Sequence, residues 1–270
     1  MPSRAFVAKD MFETSLIERG NFITKSGFEK NNFKRVISWL SEEMPMCWEI
    51  KTLGWQPEQF FAFSNCVWYK GNLIQYSSLG LVEINDTQFI SLANSSINSD
   101  TRDFDNPYEH DKYLSHIKSK LTFAEWSALF AKVYGNSNAI NGIAYVFISI
   151  FKDVITRETK CPLLFSYGSK GSGKSDYAES ILHLFFSGKN SEGKLMAGIN
   201  LNPGQITRFA FFNLLKRFAN CPILLNEFDE SRIEDWVFGS IKSFYDGEGK
   251  QVGDGSTGKA LKTREDKPLS

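Results

Sequence analysis

Residues 31–44, "NNFKRVISWLSEEM", set Phe33, Val36, Ile37 and Leu40 three and four positions apart, which predicts a helix with one apolar face. From Trp48 to about Leu92 that period disappears. Short apolar runs replace it, with turn residues at the breaks. "FFAF" and "CVWY" flank Ser64-Asn65, "WYKGNLIQY" breaks at Gly71-Asn72, and "VEINDTQFISL" breaks at Asn85-Asp86. Runs of this length punctuated by Asn, Asp and Gly predict a β-meander. Residues 93–107, "ANSSINSDTRDFDNP", are polar and aperiodic and read as a linker.

Helical spacing returns beyond the linker. "TFAEWSALFAKVYG" opens on Thr122 with Glu125 three residues on, the signature of a capping box, and closes on Gly135. An apolar helix is predicted over 138–156. An apolar run then enters a glycine-rich turn, "CPLLFSYGSKGSGKS", and an amphipathic pattern leaves it. A polar loop near "GKNSEGK", a helix in "GQITRFAFFNLLKRF", a strand in "CPILLN" and a helix in "IEDWVFGSIKSFY" complete the series. Strands alternating with helices predict an α/β fold with a parallel sheet and crossover helices.

Composition narrows the classes. The chain has 270 residues, 42% hydrophobic and 23% charged, enough apolar material for one large domain or two ordinary ones. Lys+Arg 31 against Asp+Glu 31 leaves no net charge, so any grip on nucleic acid must come from a local patch. The cysteines, Cys47, Cys66, Cys161 and Cys221, lie far apart without a CxxC pair, and the three histidines stand at no ligand spacing from them. Buried thiols are expected, with no structural metal. The N-terminus lacks the apolar core of a signal peptide, and "AINGIAYVFISIF" is shorter than the roughly 20 residues a bilayer crossing needs. A cytoplasmic location without membrane contact is expected.

The glycine-rich turn carries the sharpest chemistry. "GSKGSGKS" fits G-x-x-x-x-G-K-[ST], and Gly168, Ser169, Lys170, Gly171, Ser172, Gly173, Lys174 and Ser175 are the expected ATP-binding residues. Glycine lets the backbone turn its N–H groups inward around phosphate oxygens, and the following helix points its positive end at the same anion. Lys174 is expected at the β- and γ-phosphates and the Ser175 hydroxyl on Mg²⁺. Such a site also needs a carboxylate at the C-terminal edge of a neighbouring strand. "CPILLNEFDE" supplies Glu227 as the candidate general base and Asn226 as a partner for metal-bound water. Asp229 and Glu230 lie further along, where starting the next helix is the plainer role.

With both motifs in place, the chain resembles the superfamily 3 helicases, in the branch of phage and mobile-element primase-helicases. "FSYGSKGSGKS", "NCPILLNEFDE" and "IKSFYDGEGKQ" carry the resemblance, with "LGWQPEQFFAFSNCV" upstream. It implies an AAA-plus-like P-loop ATPase core at 158–270, a helical collar at 108–157 and a small α+β accessory domain, the β-meander, at 1–107. It also implies a ring, usually a hexamer, that translocates along single-stranded DNA with ATP and Mg²⁺, in many members beside a primase.

The same resemblance puts a DNA-touching loop after the acidic strand. "DGEGKQVGDGSTGKALKTRED" occupies that place, with Lys250, Lys259, Lys262 and Arg264 as candidate phosphate contacts. Four acids in that stretch nearly cancel its charge, so a solvated surface loop is the competing reading. A sensor strand and an arginine finger would come next. The sequence stops at "KTREDKPLS", so a fragment of a longer protein is expected, or else a truncated relative with slow hydrolysis. Trp55, Trp68 and Tyr69 are further candidates for DNA or primase contact, against a buried hairpin as the plain alternative. Two other functions stay open, a P-loop kinase and a non-catalytic module in which ATP only holds the fold.

Overall fold

The computed structural model describes residues 34–35, 38–39, 47–93, 95–96, 111–187, 198–201, 206–229 and 231–246. The chain divides into two compact units, residues 1–48 and 49–270. In the first, residues 34–35 and 38–39 are helical, inside the stretch where a helix is predicted. Strand β1 (Cys47–Glu49) straddles the boundary. The linker at 93–107 and the loop bearing Lys250, Lys259, Lys262 and Arg264 lie largely or wholly outside the described residues.

The second unit opens with the meander. Strands β2 (Leu53–Trp55), β3 (Phe61–Ala62), β4 (Cys66–Tyr69) and β5 (Asn72–Gln75) pair antiparallel in sequence order. β6 (Leu81–Ile84) and β7 (Thr87–Ile90) form a separate hairpin. Its turn falls at Asn85 and Asp86, with φ of 49° and 59°, the consecutive left-handed pair that two-residue hairpins favour. The β4–β5 turn uses the same pair at Lys70 and Gly71, one residue earlier than the sequence pattern suggests. Phe60, Ala62 and Val67 of the meander are fully buried.

The meander does not close on itself. β2 also pairs in parallel with β9 (Phe218–Ala219), Leu53 opposite Phe218 and Gly54 opposite Ala219, giving a five-stranded sheet of order β5-β4-β3-β2-β9. Thus residues far along the chain complete the meander's sheet. The approach at Gly54 is close. Its φ is +98°, and a Cβ there would lie 2.0 Å from the Ala219 carbonyl oxygen.

Three helices follow, α1 (Phe123–Tyr134), α2 (Asn136–Ile150) and α3 (Lys152–Glu158). The capping box at Thr122 is formed: Glu125 N–H donates to the threonine hydroxyl at 3.3 Å and Thr122 N–H to the Glu125 carboxylate at 2.8 Å. Gly135 ends α1 and leads into α2. Buried Ala139, Gly142, Val146 and Ser149 recur at three- and four-residue spacing along α2, so its apolar composition serves the core. Among the described residues no single helix is long and apolar enough to cross a membrane.

The remaining elements are α4 (Lys174–Leu182), β8 (Gly198–Asn200), α5 (Arg208–Leu215), β9, β10 (Leu224–Asn226) and α6 (Asp235–Asp246). β8 and β10 pair in parallel, Leu224 opposite Gly198 and Asn226 opposite Asn200. Residues 162–169, where a strand is predicted, carry no strand pairing; they run as an unpaired segment beside a cavity. Two apolar clusters result. The larger joins the meander to Phe130, Val146, Tyr177 and Ile181, and the smaller gathers Leu201, Phe211, Leu215 and Val237.

Candidate functional site

α4 begins where the glycine-rich turn ends, and aromatic packing sets its direction. Trp126 stacks on Phe130 at 4.7 Å between ring centroids, and Phe130 on Tyr177 at 5.1 Å. The Tyr177 hydroxyl donates to the Asn138 carbonyl at 2.8 Å, tying α4 to α2. Gly142 permits this approach, since a Cβ there would stand 2.8 Å from the Phe130 ring. Helices α1 and α2 therefore aim the N-terminus of α4.

At that N-terminus the loop takes left-handed turns that its glycines adopt without strain. Gly171 and Gly173 have φ of 79° and 80°, and Gly173 caps α4 with no side-chain hydrogen bond. The first N–H groups of α4 thus receive no capping side chain, the arrangement an anion can satisfy. Lys174 folds back over the loop, its ammonium donating to the carbonyls of Gly168 and Ser169, each at 2.7 Å. Ser172 Oγ lies 3.4 Å from the same nitrogen. The cation already sits within the loop, held by acceptors that a phosphate oxygen can replace.

A cavity of about 680 Å³ brings the loop to the acidic strand end. Lys170, Gly171, Lys174 and Ser175 line it together with Asn226 and Glu227. It lies between the two apolar clusters: Tyr177, Ile181 and Leu182 face it from the larger, Leu225, Phe228 and Ile241 from the margin of the smaller. Residues 163–166 also border it, and Phe165 meets Phe228 edge-to-face at 5.5 Å. The size falls within the usual range for a small-molecule site.

Glu227 sits directly after β10, exposed, with φ of 59°. A left-handed backbone on a non-glycine residue costs of order 1 kcal/mol or more and is found preferentially at functional positions. Asn226 is half-buried, and its carbonyl accepts from Leu201 N–H at 3.0 Å. Asp229 is engaged elsewhere. It accepts from the Ser231 hydroxyl at 2.6 Å and faces Arg232 at 3.3 Å, and the Ser231 bonds first of all hold its carboxyl below the usual range. It does not line the cavity. Glu230 is outside the described residues.

Of the expected site residues, Lys170, Gly171, Lys174, Ser175, Asn226 and Glu227 share the cavity. Gly168 and Ser169 act through their carbonyls on Lys174. Sequence reasoning passed over Tyr145, Phe165, Tyr177 and Phe228, because aromatic residues at helical or strand spacing read as core. Tyr145 and Cys161 lie in apolar surroundings close to this segment. Burial pushes the Tyr145 phenol up to about 12 and the Cys161 thiol upward, while it lowers the Lys152 ammonium to about 8. Cys66, Cys161 and Cys221 are buried and Cys47 is exposed. Trp68 is exposed on β4, and Tyr69 donates its hydroxyl to the Asn85 side chain.

The residues present fit a nucleoside triphosphate with its metal: uncapped helix N–H groups, Lys174 folded over the loop, the Ser175 hydroxyl, and the amide of Asn226 and the carboxylate of Glu227 in the same cavity. Compared with known proteins, the chain matches no family model, no curated protein and no solved structure.

Proposed function

We propose that the chain is the ATP-driven core of a DNA helicase or translocase of the superfamily 3 kind. The observation that carries this is the single cavity lined by both Lys174-Ser175 and Asn226-Glu227. Bound MgATP would supply a phosphoanhydride activated by the metal's charge. Around it the α4 N-terminus binds phosphate, Lys174 exchanges two loop carbonyls for phosphate oxygens, and Ser175 and Asn226 orient the metal shell. Glu227 takes the proton from the attacking water. Phe165 and Phe228 border the cavity and limit access of bulk water. Single-stranded DNA is the substrate track, and assembly into a ring follows from the same reading.

The test is ATP hydrolysis with and without single-stranded DNA, alongside ATP-induced thermal stabilisation, for the wild type, Lys174→Ala and Glu227→Gln. Expected are DNA-stimulated turnover, its loss in both variants by about 10²-fold or more, and loss of stabilisation only in Lys174→Ala. Stabilisation by ATP with no turnover, whether or not DNA is present, would point to the non-catalytic module. Turnover that requires a small phosphate acceptor and ignores DNA would point to a kinase.

A further inference from the structure

A second cavity, of about 370 Å³, shares no lining residue with the first. It lies beyond the C-terminus of α4, a helix spanning roughly 13 Å by its residue count. Three segments wall it: the turn at Phe63, residues 115–119, and residues 183–187. All are pinned through the backbone. Phe63 N–H donates to Cys66 O at 2.8 Å, and its own carbonyl accepts from the Tyr76 hydroxyl at 3.0 Å. Asn65 holds His116 by reciprocal bonds, accepting from His116 N–H and donating to its carbonyl, both at 2.9 Å. Ser187 N–H donates to Tyr113 O at 2.8 Å, and the Ser115 and Ser187 hydroxyls bond each other. The walls are set before any ligand arrives.

The lining is chemically specific. Aromatic surface comes from Phe63, whose ring packs edge-on to His116 at 5.6 Å, and from Phe185 and Phe186. Hydrogen-bonding capacity comes from two imidazoles, His116 and His183, and three hydroxyls, Ser115, Ser119 and Ser187. Among the described residues no carboxylate and no ammonium lines it. Among the described residues no three His, Cys, Asp or Glu gather as metal ligands, and hydroxyls are poor substitutes in a zinc site. Flat walls with neutral donors and acceptors suit a heteroaromatic ring with a hydrogen-bonding edge. The volume is at the small end of ligand sites, enough for one base with its sugar. Lys118 and Lys120, both exposed, flank the mouth in sequence and can meet a phosphate.

We infer that this cavity binds a single nucleobase of a nucleotide, free or within a single strand. The inference does not require the P-loop reading. Only three histidines occur in the chain, His110, His116 and His183, and two of them line the cavity. Ring-labelled histidine NMR of the full chain therefore reads the site directly. The Lys174→Ala background keeps the P-loop out of the titration. The probes are dTMP, dAMP, oligothymidylate, inorganic phosphate and Zn²⁺, each to about 1 mM, beyond which binding has little standing.

Saturable shifts of His116 and His183 are expected. Shifts with dTMP or dAMP identify a free nucleotide; shifts with oligothymidylate alone identify a strand. Ser119→Trp, at an exposed position, fills the mouth and removes the shifts while thermal stability stays unchanged. His183→Gln, also exposed, weakens them with His116 as reporter. No shift with any nucleotide overturns the inference, as do equal shifts with phosphate or Zn²⁺ alone.

Discussion

The meander and the glycine-rich turn before α4 follow opposite rules. In the meander, non-glycine residues of positive φ sit in turns, and Phe60, Ala62 and Val67 are sealed. Around the glycine-rich turn the preceding segment is unpaired, Phe165 is 65% exposed, and Tyr167 is 93% exposed. Local rules that agree with the global fold produce stability, and departures from them gather where a site is built. The meander is the base; the cavity at Lys174 is where hydrogen-bonding groups stay open.

Gly54 and Gly171 put that contrast on a common footing, since both have positive φ, +98° and +79°. At Gly54 a Cβ would strike the Ala219 carbonyl oxygen at 2.0 Å, whereas at Gly171 nothing lies within 4 Å. Gly54→Ala therefore breaks the parallel join between β2 and β9 and is expected to cost about 4 kcal/mol. Gly171→Ala meets only backbone strain, about 1 kcal/mol. Urea denaturation of both measures the difference. Equal losses would mean that the β2–β9 join contributes nothing special.

That join also marks the limit of what the sequence discloses. The hairpin at Asn85-Asp86, the capping box at Thr122-Glu125 and the glycine-rich turn before α4 were legible because each depends on residues within a few positions. The pairing of Leu53 with Phe218 was not, because no local period announces a partner so distant in the chain. The unpaired segment at 162–169 illustrates the same point: "CPLLF" has strand composition, but pairing depends on what lies beside it. At the site, glycine spacing pointed to the loop, and the end of an apolar run pointed to Glu227. The cavity's aromatic border was hidden, because burial and lining look alike in sequence.

Arg217, just before β9, tests the closed region more gently. It faces Asp111 at 3.3 Å, and the two are 20% and 8% exposed at the side chain. Burial raises the Asp111 carboxyl to about 6, with the guanidinium holding it back from going higher. A carboxyl raised in the folded state binds more protons there than in the unfolded chain. Stability accordingly falls as pH rises from about 4 to about 6, and levels off above. Arg217→Leu leaves the carboxylate buried and unpaired, costing about 2 kcal/mol near neutral pH. It also pushes the carboxyl higher, so the fall continues past pH 6. Urea midpoints across that range check both; an unchanged pH profile would rule out the pair as its source.

Glu227 supplies the smallest effect and the clearest test of the open region. It is exposed, and no packing is lost when its side chain is removed, yet its φ of 59° carries the strain of a left-handed non-glycine residue. Glu227→Gly removes that strain and is expected to raise stability by about 1 kcal/mol, less the added flexibility of the unfolded chain. Glu227→Gln keeps the strain and leaves stability unchanged. Both lose the carboxylate, so both should lose hydrolysis while retaining ATP-induced stabilisation through Lys174. A gain in stability paired with a loss of turnover means that the strand end is bent to present a carboxylate to the cavity. If Glu227→Gly gains no stability, the bend belongs to the β10 turn itself, and the left-handed backbone is no mark of a role for the carboxylate.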